Sequence, residues 1–404
     1  MKRIITMVLA AALLAGCAKT PENVKGVDSL HDSRVQGDSQ AETANSSQSE
    51  AVREKAAFTK TVGEADFEKC VQGSREKILA GGYDNLKIDS DFKVVASAYP
   101  SVYQAVVSSD YDKNADDIFG LFLPDKTQGY YPSKKQLHTN EDTGVRSYEY
   151  TNGTSTGFVS SDGMVAIVEN EYMNKAEYGN TTSVNETRNL IMPVTDDKLS
   201  LGESSIDLRD VQRKSAERLS YLIAYAKESS KIECQFGYQP YSVSTVTEQS
   251  GEVLAFAHCR TTVDNTPVFD TIPIGDSFLD MPLLQGSFLT FNAKGDIVQM
   301  NTAQGLEVKS GEKPKEILTA EYAFETASKA LAPHIDHTAR FEELVLVPTV
   351  SKADKENPHM KMNSGESVTL KPYWVIHFET DWWKEIYAAV DAVTGEVEYV
   401  NNRQ

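Results

Sequence analysis

Basic residues are scarce in this chain, which carries 40 Lys and Arg against 59 Asp and Glu, a formal net charge of −19. Proteins that bind nucleic acid or adhere electrostatically to anionic lipid need a basic face. The charge balance therefore argues against a nucleic-acid partner and against electrostatic adhesion to a membrane. Attachment to a bilayer would have to come from apolar groups.

Cysteine is also scarce, with four residues at Cys17, Cys70, Cys234 and Cys259. Cys234 and Cys259 both lie in strand-like runs that could be neighbours in one sheet. A disulfide between them is therefore possible in an exported protein. The alternative is that both are buried thiols that pack as small apolar side chains.

Long apolar runs are lacking as well, and the uncharged stretch Ile4–Leu14 is too short to span a bilayer as a mature helix. Lys2 and Arg3 precede this stretch, and the small residues Ala15 and Gly16 follow it. A positive start, a short apolar run and small residues are typical of a secretory signal. The sequence therefore predicts a signal peptide over residues 1–16.

The end of this segment, Leu14-Ala-Gly-Cys17, resembles the lipobox of bacterial lipoproteins. The resemblance implies that cleavage falls before Cys17 and that the Cys17 sulfur carries a diacylglycerol with long acyl chains such as palmitate. Two or three such chains anchor a protein stably. The expected location is the cell membrane, lipid-anchored and facing the extracytoplasmic side. The alternative is an ordinary signal peptide with a chance cysteine.

Residues 18–57 contain no aromatic residue, no Ile and no Met, and are rich in Ser, Glu, Asp, Gln, Ala and Lys. Such a composition buries too little apolar area to offset the entropy of ordering the chain. We therefore predict a lipidated Cys and a disordered tether over residues 17–58. A flexible chain of this length reaches about 35 Å.

Helical patterns recur three times after the tether. Thr61 and Glu64 have the spacing of a capping box, and the helix that they begin should end at Gly81-Gly82. A second amphipathic helix is predicted over about 207–228, and a third follows Thr319 and ends at Pro333. Each helix is followed by sequence rich in strand patterns.

Three strand-turn-strand patterns accompany these helices, with turns at Gly163, Gly295 and Gly395. Glycine supplies the positive φ that tight hairpins require. Repeated helix and hairpin patterns predict an α+β fold of repeated modules, each a helix packed on an antiparallel sheet, after the disordered tether. The predicted modules cover residues 59–195, 196–310 and 311–404. The alternative is that the hairpins recur without true module repetition.

The third module contains Tyr373-Trp-Val-Ile-His-Phe-Glu-Thr380 and then Glu385-Ile-Tyr-Ala-Ala-Val-Asp-Ala-Val-Thr-Gly-Glu-Val-Glu-Tyr399. This ending resembles that of PepSY-type domains, over about 30 residues. The resemblance implies a non-catalytic role, since such domains occur in protease propeptides and envelope proteins, where they bind or restrain other proteins.

Catalytic and metal motifs are weak in this chain. Ser74-Arg-Glu-Lys77 fits Ser-x-x-Lys but lacks the partner motifs of penicillin-recognising enzymes. The alternating oxygens of Asp110–Asp117 resemble half of a calcium loop, but Ala115 stands where the turn needs Gly, so a solvated acidic loop is the favoured interpretation. The adjacent pair Glu342-Glu343 should point to opposite faces of a strand. We predict no enzyme, no metal and no cofactor.

Paired aromatic residues are the best binding candidates. Trp382 and Trp383 lie in the predicted hairpin after Phe378, and Tyr130 and Tyr131 lie in another loop. Exposed aromatic pairs stack on sugar rings or anchor protein partners. The alternative is that they cap a sheet edge or the core.

Together these features predict a membrane-anchored extracytoplasmic lipoprotein, non-enzymatic, that binds or modulates a protein or envelope component. Two alternatives stay open. One is an envelope hydrolase whose site the sequence does not reveal, and the other is a lipoprotein that captures a glycan or peptide.

Overall fold

The computed structural model describes residues 59–83, 86–115, 136–139, 145–151, 153–175, 181–190, 197–229, 234–271, 284–302, 305–331, 337–349, 365–379 and 386–401. Phe58–Gln404 is one compact unit. The predicted signal peptide and the predicted tether lie outside the described residues. Within the described ranges, no helix is both long and apolar enough to cross a membrane.

The three predicted helices occur where the sequence periodicity places them, and a short helix over Asn170–Met173 was not predicted. Their bounds are Glu64–Ala80 (α1), Asn170–Met173 (α2), Leu208–Ser229 (α3) and Ala320–Leu331 (α4), with a 3-10 helix over Tyr111–Asn114. Thr319 caps α4, since its hydroxyl oxygen accepts a bond from the Tyr322 amide at 3.3 Å. The predicted capping box at α1 is wrong because Gly63, not Thr61, is the N-cap residue.

Twenty-three strands are described, and most are short. Their bounds are Thr61–Val62 (β1), Leu86–Val95 (β2), Val102–Val107 (β3), Gln136–Thr139 (β4), Arg146–Thr151 (β5), Ser155–Ser160 (β6), Val165–Glu169 (β7), Thr181–Asn189 (β8), Lys198–Leu201 (β9), Ser204–Asp207 (β10), Phe236–Glu248 (β11), Val253–Val263 (β12), Thr266–Pro267 (β13), Asp270–Thr271 (β14), Leu284–Gln285 (β15), Ser287–Phe291 (β16), Ile297–Asn301 (β17), Leu306–Glu312 (β18), Ile317–Leu318 (β19), His337–Thr349 (β20), Ser367–Glu379 (β21), Ile386–Asp391 (β22) and Val397–Asn401 (β23).

A ten-stranded sheet forms the middle of the chain, in the order β4-β5-β6-β7-β17-β16-β12-β11-β8, with β13 added beside β12. Helix α3 packs on this sheet. Its apolar stripe contributes Leu208, Val211, Leu219 and Leu222 to a core shared with β11, β12 and β16. The predicted face of this helix is therefore the buried one.

A seven-stranded sheet contains strands from both the beginning and the end of the described chain. In it, β2 pairs with β20 and β3 pairs with β21, each more than 200 residues later in the sequence. Its order is β18-β3-β21-β20-β2, and β22 and β23 extend it beside β21. Helices α1 and α4 cover one face, and their shared core includes Phe67, Ile78, Phe324 and Trp374.

The predicted fold class of repeated helix-on-sheet modules is wrong. The protein is mostly β, and its strands form two large, largely antiparallel sheets. Within the first predicted module, β3 pairs with β18 and β21, whereas β7 pairs with β17. Local hairpin signals are the reason for the error, since they fix which strands turn back but not which distant strands pair.

The three glycine hairpins themselves are confirmed. Gly163, Gly295 and Gly395 have φ values of +91°, +77° and +80°. They lie in the turns that join β6 to β7, β16 to β17 and β22 to β23, and each of these strand pairs is antiparallel. The positive φ explains why glycine occupies these positions.

Candidate functional site

One short segment, residues 266–269, is hydrogen-bonded to strands of both sheets. On one side, the Val268 amide donates to the Thr261 carbonyl on β12 at 2.7 Å. On the other side, the Phe269 amide donates to the Leu346 carbonyl on β20 at 2.8 Å. The segment is therefore bonded to both sheets, and the side chains around it are enclosed between them.

Five charged or titratable side chains meet at this joint, and we call them the junction network: His258, Arg260, Asp270, Glu343 and His377. The side chains of Arg260, Asp270 and Glu343 are 3%, 2% and 2% exposed. His258 and Arg260 lie two residues apart on β12, so the strand places both side chains on one face. Glu343 comes from β20 and His377 from β21.

The network is a chain of contacts between opposite or complementary groups. His258 Nε2 and Asp270 Oδ1 are 2.9 Å apart, and Arg260 Nε lies 3.4 Å from the same oxygen. Arg260 Nη1 donates to both oxygens of Glu343, at 2.8 and 2.9 Å. Glu343 Oε1 then lies 2.7 Å from His377 Nε2. The guanidinium thus links one histidine–carboxylate pair to the other.

Aromatic rings enclose this network. The guanidinium carbon of Arg260 lies 3.5 Å from the centre of the Tyr241 ring and 5.2 Å from that of Phe269. The His377 ring stacks on Phe341 with 3.9 Å between centres and meets Tyr387 edge-on at 4.7 Å. Rings in these positions exclude water and add cation–π attraction to the ion pairs.

The backbone also makes room for the network. A Cβ atom at Gly286 would lie 2.5 Å from His258 Nε2 and 3.2 Å from Asp270 Cγ. A side chain at position 286 would therefore displace the imidazole or the carboxylate. Glycine is required here for close approach rather than for an unusual φ.

The charges of the network shift the pKa values of Glu343 and Arg260. Burial alone raises the pKa of Glu343, but the charge of Arg260 and the hydrogen bond from His377 outweigh it and hold this pKa at about 2. Burial lowers the pKa of Arg260, and Glu343 and Asp270 reverse the effect, so the net shift is upward. Arg260 and Glu343 are therefore both charged at neutral pH, and each compensates the other.

Two segments that are not described adjoin the network. Residues 272–283 follow Asp270 and Thr271, and residues 380–385 connect β21, which carries His377, to β22, which carries Tyr387. The rings of Phe269 and Tyr387 are 5.7 Å apart. Described residues that flank the two segments in sequence thus contact each other.

The predicted binding residues Trp382 and Trp383 belong to residues 380–385 and lie outside the described residues. Tyr130, Tyr131 and the predicted lipidation site Cys17 lie outside them too. The described strands that flank this segment carry His377, a member of the junction network, and Tyr387, whose ring contacts His377.

The possible disulfide between Cys234 and Cys259 is not formed. Cys259 pairs with Pro240 across β11 and β12, whereas Cys234 lies two residues before β11 begins. The strand from Pro240 back to Phe236 alone spans about 13 Å, whereas bridged cysteines need Cα atoms within about 7 Å. The two side chains also pack in different apolar clusters. Burial raises the pKa of the Cys259 thiol to about 12, so it is an inert apolar group.

The described part of the half calcium loop, residues 110–115, is an ion-paired turn. Asp112 Oδ2 accepts from Arg146 Nε at 2.9 Å, and Asp110 Oδ2 accepts from Lys113 Nζ at 2.7 Å. Cations of the protein therefore already neutralise both carboxylates. Over the whole described part of the chain, no group of three or more His, Cys, Asp or Glu residues is arranged to hold a metal ion.

A second feature is a polar surface cleft of about 380 Å³. Its lining includes Lys214 and Arg218, one turn apart on α3, and the acidic residues Glu169 and Asp296. The Lys214 ammonium donates to the Gly295 carbonyl, which fixes its position. Burial, Asp296 and Glu171 raise the pKa of Glu169. The cleft is thus lined by both positive and negative groups.

Comparison with known proteins gives the fold and no function. No family model matches the chain, and no curated protein matches it. Among solved structures, the chain is similar to an uncharacterized protein from Eubacterium rectale ATCC 33656, with a TM-score of 0.52 and 12% sequence identity. The match covers 78% of this chain and 91% of that one. At this identity the likeness shows a shared fold.

Proposed function

We propose that this protein is a lipid-anchored extracytoplasmic lipoprotein that binds or modulates a protein or another envelope component, without catalysis of its own. The observation that carries the anchor is the sequence Leu14-Ala-Gly-Cys17 after a short apolar run. The net charge of −19 is consistent with an anchor made of acyl chains rather than of basic side chains.

The junction network supports a scaffold role in this proposal. Strongly shifted pKa values mark either catalytic sites or structural ion-pair networks. Here the guanidinium of Arg260 is bonded to Glu343, and each carboxylate also contacts an imidazole, all of it nearly inaccessible to water. Groups that neutralise each other in this way fix the two sheets relative to each other.

A rigid joint of this kind suits the display of a binding segment. Residues 380–385 begin and end on strands that the network and the Phe269–Tyr387 contact hold in place. Binding residues are commonly carried by loops on a rigid scaffold. Trp382 and Trp383 therefore remain our proposed contact residues, and the resemblance to PepSY-type domains favours a protein partner.

Metabolic labelling tests the anchor. Cells fed an alkyne analogue of palmitate should label the wild-type protein, and Cys17→Ser should remove the label and release the protein from the membrane fraction. Cys70→Ser is the matched control and should keep both. Label on the Cys17→Ser protein, or its unchanged sedimentation with membranes, would contradict the proposed anchor.

Capture of a small glycan or peptide is a second candidate, and the surface cleft is the observation that favours it. Its cations and carboxylates suit a ligand that carries both charges, such as a short peptide. This function would use Lys214 and Arg218 rather than Trp382 and Trp383.

A further inference from the structure

Glu342 is a carboxylic acid in an apolar position. It lies on β20 next to Glu343 but faces the layer formed by α1 and α4, and it is 0% exposed. Neither of its oxygens has a hydrogen-bond partner among the described residues. The residues opposite it on the neighbouring strands are Val94 and Ile376, which are both apolar.

The charged and titratable groups that face Glu342 come from the two helices. Helix α4 contributes Glu321 and Glu325, and α1 with the residues that follow it contributes Cys70, Lys77 and Tyr83. Lys77 is bonded to one oxygen of Glu321, and the Cys70 sulfur lies 4.0 Å from the other. The Lys77 ammonium thus compensates the charge of Glu321, and a charge on Glu342 would have no such compensation.

The packing therefore tolerates Glu342 only as the neutral, protonated acid. A buried carboxylate without a counterion or hydrogen bonds is far less stable than the neutral acid. Burial raises the pKa of Glu342 well above its ordinary value, and the charge of Glu321 raises it further. The Tyr83 hydroxyl, which is also buried without a hydrogen-bond partner in the described structure, offers no compensating charge.

We propose that Glu342 is a proton-dependent lock on the α1–α4 layer. With the proton bound, the neutral acid lies under the closed helices. When the proton leaves for solvent, the carboxylate draws in water, and the helices separate from the sheet while the sheet itself stays folded.

The α1–α4 layer that carries the lock also binds the first described residues of the chain. Strand β1 pairs with β19, and the Thr319 hydroxyl donates to the Thr59 carbonyl at 2.8 Å, so the first described residues are clipped to the start of α4. If the proposed anchor holds, opening of this layer would loosen the point at which the tether enters the fold. The lock itself does not depend on the anchor.

The direction of the pH effect follows from linkage. Because the pKa of Glu342 is higher in the closed state than in the open one, the closed state binds one more proton between the two pKa values. The opening equilibrium constant should then rise by up to about tenfold per pH unit above the ordinary glutamate pKa, and should level off above the pKa of the closed state. Closure is complete in acid and is lost as pH rises.

Amide hydrogen exchange of the full-length protein from pH 5 to pH 9, corrected for the intrinsic exchange rates of the amides, tests this proposal. The amides of α1 and α4 should lose protection as pH rises, while those of β11 and β12 in the other sheet should not. Glu342→Gln and Glu342→Leu should abolish the slope, because neither side chain can ionise. Glu396→Gln, at an exposed turn residue, should behave as wild type.

Two results would overturn the lock. One is an equal pH slope in wild type and in both Glu342 variants. The other is a slope of the same size in both sheets, which would show global unfolding rather than opening of the helical layer. The lipid anchor has its own test, so failure of either proposal can be recognised separately.

Discussion

Replacing Arg260 with methionine should lower the free energy of unfolding by about 3–5 kcal/mol at pH 7, since removal of one partner from a buried ion pair leaves the other charge uncompensated. Methionine keeps much of the side-chain length but leaves Glu343 and Asp270 facing each other across the joint. Urea unfolding of the wild-type and variant proteins measures this change in the free energy of unfolding.

The difference in stability between Arg260→Met and wild type should be smaller in acid than at neutral pH. In wild type the pKa of Glu343 is held at about 2, below its ordinary value of 4.5. A carboxyl with a lowered pKa contributes stability that is complete above about pH 4.5 and is lost as pH falls towards 2. Arg260→Met removes this contribution, so the gap between the variant and wild type should be widest at neutral pH and narrow below pH 4.5.

Arg213 provides the matched control for this prediction. Its side chain is 61% exposed and forms ion pairs with Asp210 and Glu217 on the surface of α3. Exposed pairs of this kind contribute about 0–1 kcal/mol each. Arg213→Met should therefore change stability little at any pH. An Arg260→Met protein as stable as Arg213→Met would refute a structural role for the junction network.

Truncation of Trp374 to alanine should cost about 3–5 kcal/mol, as for other large buried aromatic residues. Trp374 is fully buried on β21 under α4, and its indole nitrogen donates to the Leu318 carbonyl at 2.8 Å. Trp374→Phe should cost less, about 1–3 kcal/mol, because it keeps most of the packing but leaves that carbonyl without its donor.

Leu79→Ala is the comparison for Trp374. Leu79 is on α1 and 37% exposed, so its truncation removes little buried area. Chemical denaturation should rank the variants as Trp374→Ala, Trp374→Phe and Leu79→Ala, from most to least destabilised. If Trp374→Ala were no worse than Leu79→Ala, the described packing between α4 and the seven-stranded sheet would be wrong.

Local features of this fold were predictable from sequence, and long-range ones were not. The stripe Leu208, Val211, Leu219 and Leu222 has helical spacing, so α3 was predicted almost to the residue. Gly163 and Gly295 marked their hairpins correctly for a similar local reason. The pairing of β3 with β21 is different, since many strands share the same alternating pattern and nothing local selects among them.

The candidate site was missed for the same reason. Glu342 and Glu343 were correctly expected to point to opposite faces of a strand, but not to be buried. Their signal lay in the surrounding sequence, because Phe341 to Val347 is otherwise apolar and a carboxylate within a buried strand needs a partner. That the partner is Arg260, 83 residues earlier, follows only from the pairing of the sheets.

Photocrosslinking in intact cells tests whether Trp382 and Trp383 belong to a binding surface. A photoreactive phenylalanine derivative would replace Trp382, and a control would carry it at Val393, which is 46% exposed in the turn between β22 and β23. We expect one recurrent protein adduct at position 382 that is absent at position 393. The same adducts at both positions, or none at 382, would contradict it.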